Sequence, residues 1–271
     1  MSELRPQADW PKGQVVRLQH HSSVLAGNPW NDPVDRELAV YLPHAYSEAG
    51  TPYVALWDLA ANTNSGQGHL NWRNHGENLV SRLDRLIGSG AMEPAVVAIP
   101  DCYTSLGGNQ YVNSPSVGNY ADYLVDELVP LLEAEFNVQA NREGRALFGK
   151  SSGGYGALYH AMKYPETWGA VASHAGDVGF ELLFRRDFPL VCSLLGPLKG
   201  GPEDFIRAFW RKNRPNGRDF TAMMILAMAA SYDPDPENPG NIRLPFDLRT
   251  CEVDEERWSA WMAFDPLVML E

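Results

Sequence analysis

The sequence predicts an α/β protein built on a mostly parallel sheet with helices on both faces. Three observations indicate this class: short apolar segments rich in β-formers, amphipathic segments of helical period between them, and a stop in this alternation after Asp177. Strands that alternate with helices form right-handed crossover units, which place parallel strands side by side.

The predicted strands are short, rich in β-branched or aromatic residues, and bounded by turn formers. They span residues 37–43, 52–59, 94–101, 145–149 and 169–175. The third is a continuous apolar run, which is typical of a strand buried on both faces. Apolar residues at helical spacing predict helices between the strands, over residues 74–88, 119–136 and 153–164.

After Asp177 the chain predicts a helical insertion over the carboxyl edge of the sheet. Its helical segments span residues 180–187, 203–213 and 220–231, and residues 255–271 predict one more amphipathic helix. We expect a single domain over residues 1–271. Its parts are a core over 1–177, the insertion over 178–250 and a C-terminal helix over 251–271.

Composition argues against several kinds of partner. With 22 basic and 34 acidic side chains the formal net charge is −12, which repels phosphate backbones and anionic lipid. No apolar leader is visible, and the longest apolar run, residues 222–230, is shorter than the roughly 20 residues that cross a bilayer. Cys102, Cys192 and Cys251 are odd in number and widely spaced, which favours neither a disulfide framework nor a zinc site. We expect a cytoplasmic protein with no cofactor, metal, nucleic acid or membrane partner.

The strongest functional signal is a Gly-Lys-Ser-Ser-Gly stretch between a predicted strand and a predicted helix. G-x-S-x-G in this context is the nucleophile elbow, a tight turn that holds a serine in a strained conformation. The residues two before and two after that serine must lack side chains, because the strand and the helix pass closely there. Ser151 has Gly149 and Gly153 at these positions, whereas Ser152 would have Lys150. We therefore predict Ser151 as the nucleophile.

An overlapping pattern permits a second interpretation. Gly144, Gly149, Lys150 and Ser151 also match the phosphate-binding pattern G-x-x-x-x-G-K-[ST]. A phosphate loop needs a strand before its first glycine and a turning loop between its two glycines. Here polar residues 141–143 precede Gly144, and the spacer itself resembles a strand. The pattern therefore favours the elbow.

The residues around this turn resemble a known family. The elbow GKSSGGYGAL, the helix before it and the strand VALWDL are similar to the putative-esterase family of α/β-hydrolases, over roughly residues 35–177. The family includes S-formylglutathione hydrolases, enterochelin esterases and mycolyltransferases. The resemblance implies an α/β-hydrolase fold with a helical insertion after the sixth strand. It also implies hydrolysis of a small-molecule carboxylic ester or thioester through an acyl-serine.

The resemblance further implies an oxyanion hole made of two backbone amides. One is the amide after the nucleophile, which is that of Ser152. The other lies after the VALWDL strand and falls on Leu59 or Ala60, of which we take Leu59. Each such donor contributes about 10²–10³-fold in rate.

The family pattern is incomplete in this chain. The fold orders its triad as Ser, then Asp or Glu, then His, and only His160 and His174 follow Ser151. His160 lies in mid-helix and is predicted to be a core or surface residue. His174 ends a strand at the correct edge and is a weak candidate for the base. Asp177 beside it is a candidate acid or substrate contact, or a turn former.

We therefore predict that the last strands of the fold are missing or replaced. Three explanations stay open: the chain is a fragment, a second polypeptide supplies the rest, or the enzyme is degenerate. Because soluble proteins cover flat edge strands, we expect the C-terminal segment or a second copy of the chain to cover the edge. The predicted function is a serine carboxylic-ester hydrolase. The alternatives are a catalytically impaired or non-catalytic module on the same fold, and an acyltransferase.

Overall fold

The computed structural model describes residues 10–270. Its main sheet has six strands in the order β1-β2-β4-β3-β7-β8, and β5 and β6 form a separate two-stranded sheet. The strands are β1 (Gln14–His21), β2 (Asp35–Leu42), β3 (Val54–Leu59), β4 (Ala95–Pro100), β5 (Asn113–Ser114), β6 (Gly118–Asn119), β7 (Arg145–Lys150) and β8 (Ala170–His174). Every predicted strand is present, with ends shifted by about two residues or fewer.

The strands on the elbow side of the sheet are parallel and those on the other side are antiparallel. β3 pairs in parallel with β4 and β7, and β7 with β8. β2 pairs antiparallel with both β1 and β4. The strand β1 was not predicted, because its sequence QVVRLQHH is half exposed and carries no continuous apolar run.

The helices are more numerous than the sequence predicted. They are α1 (Gly66–Leu70), α2 (Leu79–Gly88), α3 (Tyr120–Asp122), α4 (Val129–Glu135), α5 (Ser152–Lys163), α6 (Phe180–Leu183), α7 (Phe188–Leu195), α8 (Gly201–Arg211), α9 (Gly217–Tyr232), α10 (Glu255–Met262) and α11 (Pro266–Met269). A π-helical turn, Tyr123–Leu128, joins α3 to α4. The insertion after β8, the sixth strand of the main sheet, is helical as expected.

Several predicted helices differ from the structure. The helix expected over residues 180–187 is α6 followed by a 3₁₀ turn, and the helix expected over residues 119–136 contains the π-helical turn. The helix expected from residue 74 begins at Leu79, because the Asn78 side chain accepts a hydrogen bond from the Ser81 amide at 2.8 Å and caps the first turn. The single C-terminal helix expected over residues 251–271 is wrong. It is two short helices, and the second begins where the Asp265 carboxylate accepts a hydrogen bond from the Leu267 amide at 3.1 Å. Residues 1–9 and 271 lie outside the described part of the chain.

Helices cover both faces of the sheet. On one face, α2 packs over a small apolar cluster that includes Tyr41, Leu83 and Ile99. On the other face, α5 and the insertion helix α9 belong to a larger core, in which the rings of Tyr155 and Tyr232 lie 5.8 Å apart. The insertion therefore rests on the helix that begins at the predicted elbow.

The strand β8 is an uncovered edge. All five of its residues are exposed, and it ends the strand order of the main sheet. The C-terminal segment lies elsewhere: the Phe264 carbonyl accepts a hydrogen bond from the Tyr155 hydroxyl at 3.1 Å, and the Asp265 carboxylate accepts one from the Phe180 amide at 2.6 Å. The expectation that the C-terminal segment covers this edge is therefore wrong for the residues that the structure describes.

Candidate active site

Ser151 lies at a sharp turn between β7 and α5. Its backbone has φ 55° and ψ −122°, a conformation that non-glycine residues rarely adopt. The Ser151 amide donates a hydrogen bond to the His174 carbonyl at 3.0 Å, so the neighbouring strand supports the turn. Such strain persists only where surrounding structure enforces it, and it is concentrated at functional sites.

The two flanking glycines sit where a side chain has no room. A Cβ on Gly149 would lie 2.4 Å from the Gly153 carbonyl carbon, and a Cβ on Gly153 would lie 2.0 Å from the Leu59 carbonyl oxygen. The strand, the turn and the helix therefore meet at the close distance on which the choice of Ser151 over Ser152 depended.

The hydroxyl of Ser151 faces a buried carboxylate. Ser151 Oγ lies 3.4 Å from Asp177 Oδ1, and Ser152 Oγ lies 3.3 Å from Asp177 Oδ2. Asp177 is only 7% exposed. Burial raises the pKa of Asp177 to about 6, although the hydrogen bonds from Ser152 and Ser151 act in the opposite direction. The Asp177 carboxylate is therefore more basic than an exposed one and contacts the candidate nucleophile directly.

Two further residues, which sequence reasoning missed, orient the Ser152 side chain that contacts Asp177. The Tyr232 hydroxyl donates to Gln110 Oε1 at 3.0 Å, and Gln110 Nε2 donates to the Ser152 hydroxyl at 2.7 Å. The Ser152 hydroxyl in turn donates to Asp177, so each donor in this series of three hydrogen bonds has an acceptor. Gln110 lies in a connecting loop and Tyr232 ends α9, and neither stands in a motif that could have revealed it.

The predicted oxyanion donors lie beside the elbow. Ser152 is the first residue of α5, so its amide belongs to the helix end whose amides lack intrahelical acceptors. Leu59 ends β3 in register with Gly149. The Tyr111 hydroxyl donates to the carbonyl of Ala60, the next residue, at 2.6 Å and fixes that segment.

The two histidines that follow Ser151 in the sequence lie in different environments. His160 is fully buried, with Nε2 2.8 Å from the Tyr111 carbonyl oxygen and Nδ1 3.2 Å from Trp168 Nε1. Burial lowers the pKa of His160 to about 4, so it is a neutral core residue. His174 contributes its carbonyl to the turn, and its side chain is exposed. Within residues 10–270, the Ser151 hydroxyl is hydrogen-bonded to Asp177 and to no histidine.

The phosphate-loop interpretation does not fit the fold. Gly144 ends a short 3₁₀ turn, and the residues between it and Gly149 form β7, a strand between β3 and β8. No turning loop separates the two glycines.

Among residues 10–270 there is also no group of three or more histidine, cysteine, aspartate or glutamate residues that could hold a metal. None of the helices described is long and apolar enough to span a bilayer.

A cavity of about 440 Å³ opens at the same edge of the sheet. Its lining includes Asp32, Arg36, Asp101, Tyr103, Ser105 and Trp210. The loop after β4 borders the cavity with Asp101, and further along it carries Gln110, which contacts Ser152. This loop therefore connects the cavity to the elbow.

Comparisons with known proteins identify relatives of the chain. The profile of a family described as putative esterase matches residues 33–235. An esterase of Mycobacterium tuberculosis is 30% identical over 181 residues, which are 65% of this chain and 35% of that protein. An uncharacterized protein of Bacillus subtilis is 27% identical over 164 residues, which are 54% of this chain and 59% of that protein.

Solved structures show the same fold. A ferulic acid esterase from the anaerobic fungus Anaeromyces mucronatus superposes with a TM-score of 0.51 at 20% identity, over 65% of this chain and 63% of that one. The chain spans about a third of the length of the mycobacterial esterase. The chain therefore has the α/β-hydrolase fold, and from the family match, which covers most of its length, it belongs to the putative-esterase family.

Proposed function

We propose that this chain is a serine carboxylic-ester hydrolase that acts on a small-molecule ester or thioester through an acyl-enzyme on Ser151. The observation that carries the proposal is the Ser151 hydroxyl, held at a strained turn between β7 and α5 and hydrogen-bonded to the buried Asp177 carboxylate. The mycobacterial esterase among its relatives supports the same chemistry.

In the proposed reaction, Ser151 Oγ attacks the acyl carbonyl carbon while Asp177 accepts the hydroxyl proton. The amides of Ser152 and of Leu59, with Ala60 as the neighbouring candidate, stabilise the oxyanion. When the intermediate collapses, the proton passes from Asp177 to the leaving alcohol or thiol. Water then gives a proton to Asp177 and attacks the acyl-serine. When this second intermediate collapses, Asp177 returns the proton to Ser151 Oγ and the acid is released.

A carboxylate is a weaker base than an imidazole, so the environment of Asp177 matters. General bases work best when their pKa lies near the working pH, and burial raises the pKa of Asp177 to about 6. We assign Gln110 and Tyr232 as positioning residues, because they orient Ser152 and leave the other carboxylate oxygen to Ser151. His174 remains a predicted alternative base, because it ends the strand beside the turn.

The test is covalent labelling by a fluorophosphonate probe, read by intact mass and peptide mapping. We expect one adduct on Ser151, no adduct in Ser151→Ala, and unchanged labelling in Ser89→Ala, whose serine is exposed beyond the end of α2. A folded wild-type protein that takes up no probe, or takes it up on another serine, would contradict the proposal.

A non-catalytic module on the hydrolase fold is the second candidate. One observation favours it: within residues 10–270 no histidine hydrogen-bonds to Ser151, and a serine without a strong base is a poor nucleophile. Unlabelled but folded protein would select this candidate. An acyltransferase shares the acyl-enzyme, and product analysis with an added alcohol acceptor separates it from a hydrolase.

We further propose that the chain forms a homo-oligomer through the exposed edge of β8, because unpaired strand edges recruit other strands. We also propose a cytoplasmic location, for which the support is that Cys102, Cys192 and Cys251 are all free thiols.

A further inference from the structure

Two cysteines that are distant in the sequence meet in the helical insertion. Cys192 lies in α7, and Cys251 lies in the turn that precedes α10. Both use one acceptor: the Cys192 thiol donates to the Asp247 carbonyl oxygen at 3.5 Å, and the Cys251 amide donates to the same oxygen at 2.8 Å. The neighbouring Cys251 thiol also raises the pKa of Cys192, as expected for two side chains that lie close together.

The surroundings hold both cysteines firmly. The Asp247 carboxylate accepts hydrogen bonds from the Arg249 and Thr250 amides, each at 2.8 Å, which closes the turn that carries Cys251. At the base of this turn, the ring of Phe246 stacks on Phe188 of α7 at 4.2 Å. Because packing fixes both elements, little conformational entropy is lost when the thiols react with each other.

The two thiols are also accessible. Cys192 and Cys251 are partly exposed, whereas Cys102 is buried at 5% exposure. A small reagent can therefore reach the pair while the third thiol stays protected. This accessibility distinguishes the pair from an inert core contact.

We propose that Cys192 and Cys251 form a dithiol that a small-molecule disulfide oxidises reversibly to an intramolecular disulfide. One cysteine thiolate attacks a sulfur of the reagent and expels a thiolate, which leaves a mixed disulfide on the protein. The second cysteine thiolate attacks the protein sulfur of that mixed disulfide and expels the second thiolate. Two cysteine thiols lose two electrons and two protons, and the reagent becomes two free thiols.

Two physical properties of the pair can be measured. Burial and the neighbouring thiol raise the pKa of Cys192 to about 12, so the rate of thiol–disulfide exchange increases with pH. The bond would join α7 to the segment before α10 and restrict the unfolded chain. We expect it to raise the Tm by roughly 5–10 °C.

The experiment incubates the full chain with excess oxidised glutathione at alkaline pH, then alkylates the remaining thiols under denaturing conditions. We expect one alkylated cysteine, Cys102, no bound glutathione, a cross-linked peptide that contains Cys192 and Cys251, and a Tm increase that dithiothreitol reverses. In Cys251→Ser and Cys192→Ser, the remaining partner should instead retain one glutathione.

Three outcomes would overturn the proposal. They are stable glutathione on both cysteines of the wild type, three alkylated thiols after oxidation, or a disulfide between two chains on a non-reducing gel. None of these results depends on activity at Ser151, so the proposal can fail or hold independently of the proposed function.

Discussion

The Ser151 hydroxyl lies 3.4 Å from the carboxylate of Asp177, a residue that follows the next strand of the sheet. The parallel pairing of β7 and β8 brings the two together, because both strands end at the same edge. In the described part of the chain, the candidate nucleophile therefore contacts a candidate base and no histidine. The predictions below test this pair, the turn that presents it and the strand that borders it.

The first prediction concerns catalysis. Asp177→Asn keeps the shape of the side chain and removes its basicity, so we expect ester hydrolysis to fall by about 10²–10⁴-fold. In the wild type, the Asp177 pKa of about 6 means that the rate should rise with pH up to about 6 and level off above 7. Initial rates with a chromogenic ester measure both. Asp177 would be rejected as the base if the rate stays high in Asp177→Asn. It would also be rejected if replacement of His174, and not of Asp177, abolishes the rise of the rate with pH.

The second prediction concerns stability at the same residue. The pKa of Asp177 is raised from its ordinary value to about 6, so its contribution to stability is full below about pH 4 and is lost as the pH rises through 6. Asp177→Asn should therefore increase the unfolding free energy by about 2–3 kcal/mol at pH 8 and by little at pH 4. Urea denaturation at the two pH values measures the difference. Equal stability changes at both would show that Asp177 is not destabilised by its burial.

The third prediction concerns the turn. Gly153→Ala places a Cβ 2.0 Å from the Leu59 carbonyl oxygen, so we expect a loss of about 3 kcal/mol or more, together with loss of probe labelling. The matched control is Gly217→Ala at the start of α9, where a Cβ meets nothing within 4 Å. Thermal unfolding of both variants decides the matter. If the two alanines cost the same, the close approach at the elbow is not present in solution.

The fourth prediction concerns His160, whose pKa burial lowers to about 4. The unfolded chain takes up this proton near pH 6.5, so the contribution of neutral His160 is present above 6.5 and is lost as the pH falls towards 4. The slope for this one group is about 1.4 kcal/mol per pH unit. His160→Gln, which does not titrate, should remove that slope from urea denaturation curves collected between these pH values. An unchanged slope would mean that folding does not lower the pKa of His160.

The fifth prediction concerns the edge of the sheet. We expect the wild type to be oligomeric by size-exclusion chromatography with light scattering, and Val171→Lys in β8 to shift it to monomer, because an added charge prevents strand pairing. Leu182→Lys is the control: Leu182 is 82% exposed but lies in α6, outside the sheet. A monomeric wild type, or dissociation by the control alone, would reject assembly through β8.

The sequence by itself determined the strand–turn–helix around Ser151 and the alternating pattern of the parallel strands. These features depend on residues close in the chain, since Gly149 and Gly153 act on the conformation of Ser151 within one turn. The same local reasoning missed β1, whose half-exposed residues carry no continuous apolar signal. It also joined α10 and α11 into one helix, because periodicity does not register the cap at Asp265.

Only the tertiary structure decided which side chains meet at the site. Gln110 and Tyr232 come together with Ser152 because a loop and the last turn of an insertion helix pack over the elbow, and no local pattern encodes that packing. The same holds for Cys192 and Cys251, whose spacing suggested no relation until α7 and a distant turn converged on one carbonyl oxygen. Local sterics specify a backbone conformation within a few residues, whereas the partners of a side chain depend on how distant segments bury their apolar faces together.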